Sequence, residues 1–233
     1  MAASGVSVGG AAQYSIDFNA TTTSVNAGSD ASLDDLHDDA ITVEAWINVD
    51  SWGEGGAVGY VVSKGNTVPA AGWILYLYSV ATGVGFIVRT ASAPAEGKSG
   101  TGAFSPDSAW HHIAGTWDDA TYTNPRIWID GTEQTNSTVA RNGAIVTDAS
   151  LDVIIGQKVG GAFTIDGEIA WVRISDNIRY TGGFTPDAKD APPAVDGNTV
   201  EQWNFNDGAG VTAAAEVNGS NDGTITDGSW TAL

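Results

Sequence analysis

Three observations on the 233-residue sequence predict an all-β fold. Apolar and polar residues alternate with period two over many short stretches. Asn and Asp precede Gly at Asp130-Gly131, Asn142-Gly143, Asp166-Gly167, Asp196-Gly197 and Asp207-Gly208, the pairs that supply the positive φ of tight turns. Helical periodicity is missing beyond a turn or two in LDDLHDDA (33–40). Strands without helical crossovers pair antiparallel and close as a sandwich or a barrel.

The elements follow in chain order. QYSIDFN (13–19) opens the series. In ITVEAWINV (41–49), Ile41, Val43, Ala45, Ile47 and Val49 share one face, and Thr42, Glu44, Trp46 and Asn48 share the other. Further strands are predicted at 59–64 (GYVVSK), 72–79 (GWILYLYS), 84–90 (VGFIVRT), 125–130 (PRIWID), 151–156 (LDVIIG) and 167–175 (GEIAWVRIS). VEQWNF (200–205) sets Glu201, Trp203 and Phe205 against Val200, Gln202 and Asn204. Trp46, Ile113, Ile127, Ile129, Ile154 and Val172 are expected in the core, as are the strand tryptophans Trp110, Trp117, Trp128 and Trp171. The polar, Pro-rich stretch DAKDAPPAVDGN (187–198) is read as a crossing within one domain, 1–233. The remaining residues, 199–233, are too few for a core of their own.

The sequence carries 28 acidic and 9 basic residues, a net charge of −19. That balance argues against nucleic acid and against anionic membrane surfaces as partners, since both need clustered Lys and Arg. Without cysteine there is no disulfide, thiol catalysis or Cys-ligated zinc. MAASGVSVGGAAQY lacks the basic and apolar regions of a signal peptide, and WILYLY (73–78) is too short to span a bilayer. A product made in the cytosol is expected.

SPDSAWHHIAGTW (105–117) places two of the three histidines side by side. In a strand, Trp110, His112, Ala114 and Thr116 point one way and His111, Ile113, Gly115 and Trp117 the other. The pair therefore cannot chelate one ion together, and one of them is expected to be a hydrogen-bonded histidine near the core.

The strands, taken in order, resemble the laminin G-like, concanavalin A-like jelly rolls. ITVEAWINV is similar to that family's TxEaWv strand, and VVSKGN with GWILYLYS to its SKg…gyxLyl hairpin. AWHHIAGTWDD with IWIDG resembles WHHvAgTyd…lyvDG, and DVIIG with GEIAWVRISD resembles lyIGg…GxIdevRI. The resemblance implies a two-sheet antiparallel jelly-roll sandwich. VRISDNIRYTGGFTP (172–186) is further similar to a form found in bacteriophage particle proteins. TVEQWNFNDGAGVTAAAEVNGSNDGTITDGSW (199–230) resembles a stretch that precedes the family's first strand, which implies a circular permutation or a cut-short second repeat. Its strand is expected to pair beside 13–19, in its own subunit or swapped into a neighbour.

Related glucanases carry an E-x-D-x-x-E strand. Here Asp166 and Glu168 have no leading Glu, Asp166-Gly167 reads as a hairpin turn, and no catalysis is expected. The calcium ligand that the resemblance implies falls on Ala170, so no cofactor is expected unless calcium binds the acidic loop of Asp34, Asp35, Asp38 and Asp39, where Leu33 and Leu36 would plug the sandwich end. Loop aromatics that could stack on sugars are Trp52, Trp73, Tyr122 and Phe163. Together these readings point to a non-catalytic virion structural or decoration protein. Its partners would be other coat proteins or itself as a homo-oligomer, and its place the virion surface. The alternative is a carbohydrate-binding lectin module, extracellular, with glycans as partners.

Overall fold

The computed structural model describes residues 13–67, 70–80 and 82–233. Its strands run β1 (Tyr14–Phe18), β2 (Ser24–Asn26), β3 (Ala40–Ser51), β4 (Val58–Ser63), β5 (Asn66–Thr67), β6 (Ala70–Ala71) and β7 (Trp73–Tyr78). They continue with β8 (Gly83–Val88), β9 (Ala95–Ser99), β10 (Trp110–Asp118), β11 (Arg126–Ile129), β12 (Thr132–Glu133) and β13 (Thr135–Val139). The last are β14 (Ile154–Ile155), β15 (Asp166–Ser175), β16 (Thr199–Trp203), β17 (Thr212–Ala213), β18 (Gly223–Thr226) and β19 (Ser229–Ala232). Helical structure among the described residues is confined to 3-10 turns at Ala31–Leu33, Leu36–Asp38 and Gly219–Asn221. The second lies within the stretch 33–40 where a helical turn was expected, and the first ends at its first residue.

One sheet has the order β12-β11-β10-β3-β15-β1-β19, with β16 also on β15. The other has the order β13-β9-β8-β7-β4-β14-β2-β18-β17. All strand pairings within the two sheets are antiparallel. Alternation decides which residues meet between them: Ile41, Val43, Ala45, Ile47 and Val49 of β3 face Val61, Leu75, Leu77 and Phe86 from the opposite sheet in one buried core. Ile113, Ile127, Ile129, Ile154 and Val172 are buried as expected. At Asp130-Gly131 both residues take positive φ, +48° and +74°, which turns β11 into β12.

Trp46 departs from expectation and is only partly buried. It sits, with Trp128 and Trp171, on the outer face of the first sheet, because each lies out of phase with the core residues of its strand. Segment 176–198 crosses that face as a strap. Trp46 Nε1 donates to Asp187 O at 2.7 Å and Trp171 Nε1 to Ala188 O at 3.3 Å. Tyr180 and Phe184 stack in parallel at 3.5 Å and close over His112 and Trp128. Of Trp110, Trp117, Trp128 and Trp171, only Trp117 joins the main core, while Trp110 is half-buried beneath Lys189.

The C-terminal segment is built into both sheets. β16 does not pair with β1, as the sequence suggested. It pairs with β15 at Val172–Ser175, whereas β1 pairs with the same edge of β15 at Gly167–Ile169. The two short strands thus lie end to end along one neighbour, and β19 is the strand beside β1. Trp203 and Phe205 enter the core. The buried Glu201 carboxylate accepts from Gln202 N, Val217 N, Asn218 N and Asn221 Nδ2 at 2.9–3.0 Å, which fixes the return toward β18.

Candidate functional site

The outer face of the second sheet carries a cleft floored by tyrosines. On β7, Trp73, Leu75 and Leu77 point into the core, so Tyr76 and Tyr78 point out. Their partners across the hairpin are Gly85 and Gly83. A Cβ at Gly85 would come within 2.5 Å of the Tyr76 ring, and one at Gly83 within 2.6 Å of the Tyr78 hydroxyl. The missing side chains let both phenols lie across β8 to reach β9. Tyr76 Oη donates to Glu96 Oε1 at 2.6 Å, and Tyr78 Oη donates to Ser99 O at 2.9 Å. Burial, with the Glu96 carboxylate beside it, pushes the Tyr76 phenol far above its ordinary range, so it remains a donor.

The rings continue as a row. Tyr76 lies 5.8 Å from Tyr78 and 6.1 Å from Tyr60, and Tyr60 stacks on Phe163 at 5.4 Å with 17° between the planes. Phe163 is 42% exposed. A lysine stands at each end, Lys98 Nζ 5.6 Å from the Tyr78 ring and Lys158 Nζ 5.6 Å from the Phe163 ring. Over Tyr76 and Tyr78 opens a cavity of about 650 Å³, walled by Ala57, Val80, Lys98, Ser99, Asn136 and Ser137. Val80 at its rim is 83% exposed. Lys98 is also paired with Glu96 at 2.8 Å, which leaves the cleft close to neutral. Apolar rings with a few amide, hydroxyl and ammonium groups at the rim suit a ligand that is apolar on one face and polar at its edges.

Of the aromatics named from the sequence, only Phe163 belongs to this row. Trp73 is fully buried, because it sits on the inward face of β7, and it presents no surface for stacking. Trp52 is half-buried with its edge toward Phe104, and Tyr122 packs against the Arg126 guanidinium at 4.4 Å. Tyr60, Tyr76 and Tyr78 were missed. The readable signal was Tyr-x-Tyr facing Gly-x-Gly across one hairpin.

The acidic loop separates in the same way. Asp38 and Asp39 are exposed, Asp34 pairs with the buried Lys64 at 3.0 Å, and Asp35 turns inward to Asp148. Leu33 is buried and Leu36 packs against the core, as expected of a plug. Ala170 is the extra residue of a bulge between Ile169 and Trp171. Asp166-Gly167 is not a hairpin turn but the start of β15, opposite a bulge at Asp50 of β3. Gly167 has φ +141°, and a Cβ there would strike Asn48 O at 2.1 Å. Glu168 accepts from Ser15 Oγ at 2.5 Å opposite Asp17, whose carboxyl is raised by burial and then by Glu168, Asp50 and Asp166. The two histidines do face opposite ways. His111 Nδ1 lies 2.7 Å from Asp130 Oδ2 at the rim, and His112 is fully buried under the strap.

Residues 18–180 match the family described as the concanavalin A-like lectin/glucanases superfamily. The chain belongs to that superfamily. Among solved structures, this concanavalin A-like chain is similar to a Bacteroides ovatus protein whose carbohydrate-binding role is itself a provisional assignment. The TM-score is 0.65 at 15% identity, over 95% of this chain and 60% of that one. The Limulus polyphemus SAP-like pentraxin matches with TM-score 0.50 and 17% identity, over 72% of this chain and 78% of that one. Mouse laminin α1 domains LG4-5 match with TM-score 0.50 and 14% identity, over 84% of this chain and 48% of that one. At these identities the shared property is the laminin G-like sandwich. The chain spans 60% of the length of the Bacteroides ovatus protein. No curated protein sequence matches it.

Proposed function

We propose that this chain is a non-catalytic carbohydrate-binding module that holds a glycan in the cleft on the outer face of β4, β7, β8 and β9. The row Phe163–Tyr60–Tyr76–Tyr78, capped by two lysines, carries this reading. A pyranose has an apolar C–H face for the aromatic floor and equatorial hydroxyls for Asn136, Ser137 and Lys98. The carbohydrate-binding description of the Bacteroides ovatus relative supports the same reading. A virion role, read from RYTGGFTP, has no observation in the fold to carry it.

The test is a glycan array probed with the full chain, followed by affinity measurement on the best ligand. Phe163→Ala should weaken binding about tenfold, the worth of one aromatic contact near 1.4 kcal/mol. Asn136→Ala should act in the same direction, while Thr185→Ala on the strap should change nothing. An array with no ligand, or a ligand indifferent to Phe163 and Asn136, counts against the proposal.

A further inference from the structure

We propose that Asp35, His37 and Asp148 form a binding site for one divalent cation of the zinc class. Donor atoms of the three side chains lie within 4.8 Å of one another. The signal is a pair of orphaned atoms. His37 and Asp148 are fully buried, and His37 Nδ1 and Asp148 Oδ2 have no hydrogen-bond partner. They face each other at 3.4 Å.

The tautomer makes this pairing unfavourable as it stands. His37 Nε2 lies 3.1 Å from Val146 O, and a carbonyl only accepts, so Nε2 carries the hydrogen. In a neutral ring Nδ1 then presents a lone pair to a carboxylate oxygen. A proton or a cation between them would relieve the pairing. Lys64 cannot supply it. Its ammonium commits its three protons to Asp34 Oδ1 at 3.0 Å, Asp148 O at 3.2 Å and Leu151 O at 2.6 Å, and its approach to Asp148 at 3.7 Å is to the other oxygen.

A metal ion between them would satisfy the orphaned pair. A tetrahedral zinc with bonds of about 2.0–2.2 Å holds neighbouring ligand atoms about 3.3 Å apart, which matches the orphaned pair. The Nε2–H donated to a backbone carbonyl is the arrangement that orients a metal-binding imidazole. Asp35 supplies a third oxygen and is itself oriented, accepting from Asp148 N at 2.9 Å and Thr147 Oγ1 at 3.0 Å. It is only partly buried, which leaves a route for the ion and a position for water. One imidazole with two carboxylates favours zinc over calcium, which takes six to eight oxygens.

The experiment uses the full chain, stripped with a chelator and dialysed. Titration with Zn²⁺ should reach one equivalent, raise the melting temperature with each further tenfold of free metal, and move the His37 Nδ1 resonance in ¹⁵N NMR. Ca²⁺ should do none of these. His37→Gln, which can still donate to Val146 O, should lose the zinc-dependent rise, whereas the Asp38→Asn, Asp39→Asn double variant should keep it. Two results overturn the proposal: no bound zinc, with a proton alone bridging His37 and Asp148, or stoichiometric zinc that leaves the wild-type His37 resonance unmoved. The NMR readout decides even where His37→Gln does not fold.

Discussion

Glu44 and His112 face each other on adjacent strands beneath the strap, Oε2 to Nε2 at 3.0 Å, with both side chains fully buried. Glu44 Oε1 also accepts from Arg173 Nε at 2.6 Å, and Oε2 accepts from Tyr180 Oη at 2.5 Å. Burial by itself would raise the Glu44 carboxyl. The hydrogen bond and charge of His112, then Arg173 and the Tyr180 hydroxyl, outweigh burial and hold it at about 2, below its ordinary 4.5.

The first prediction is acid sensitivity. A folded-state pKa below the unfolded one gives stability that is complete above the ordinary value and is lost as pH falls toward the folded value. Resistance to urea unfolding should therefore fall as pH drops from about 4.5 to about 2. Glu44→Gln should cost about 3 kcal/mol at neutral pH by breaking the buried network, and should flatten the slope in that window. An unchanged slope would separate Glu44 from acid unfolding.

The second concerns the glycines under the tyrosines. Gly85→Ala would place a methyl 2.5 Å from Tyr76, and the ring has to lift off β8. Overpacking of this kind costs about 1–3 kcal/mol, and with the floor displaced glycan binding should fall with it. Thermal melting and the affinity assay read the two effects separately. A variant that binds like the parent would show that the flat tyrosine is not needed.

The third is truncation after Pro193. It removes β16, β17, β18 and β19, strips the edges of β15, β2 and β1, and takes Trp203 and Phe205 from the core. Loss of one large buried aromatic alone costs about 3–5 kcal/mol, so the truncated chain should not melt as a folded protein near the parent's temperature. Equal melting temperatures would reduce residues 194–233 to a tail.

Period-two alternation was enough to place β3 and to divide its residues, and those of β10, between two faces, one of which meets a continuous apolar core. It did not reveal that the outer face of the first sheet has its own cover. Trp46, Trp128 and Trp171 look like core residues in sequence, and only the strap at 176–198, which has no regular structure, explains their burial. The cleft was hidden for a related reason. Tyr76 and Tyr78 read as part of an unbroken apolar run, and their place on the cleft floor, where they are only 6% and 8% exposed, depends on the pairing with Gly85 and Gly83. His37 and Asp148 lie far apart in sequence, and no local pattern joins them.

The central claim is the location of the glycan site. Its most direct measurement is an amide and side-chain NMR titration of the full chain with the best oligosaccharide from the array. Shift changes should concentrate at Tyr60, Tyr76, Tyr78, Lys98, Asn136 and Phe163, with Trp46, Trp171 and the strap unmoved. Changes confined to the strap face, or to the loops around Asp38 and Tyr122, would contradict the account.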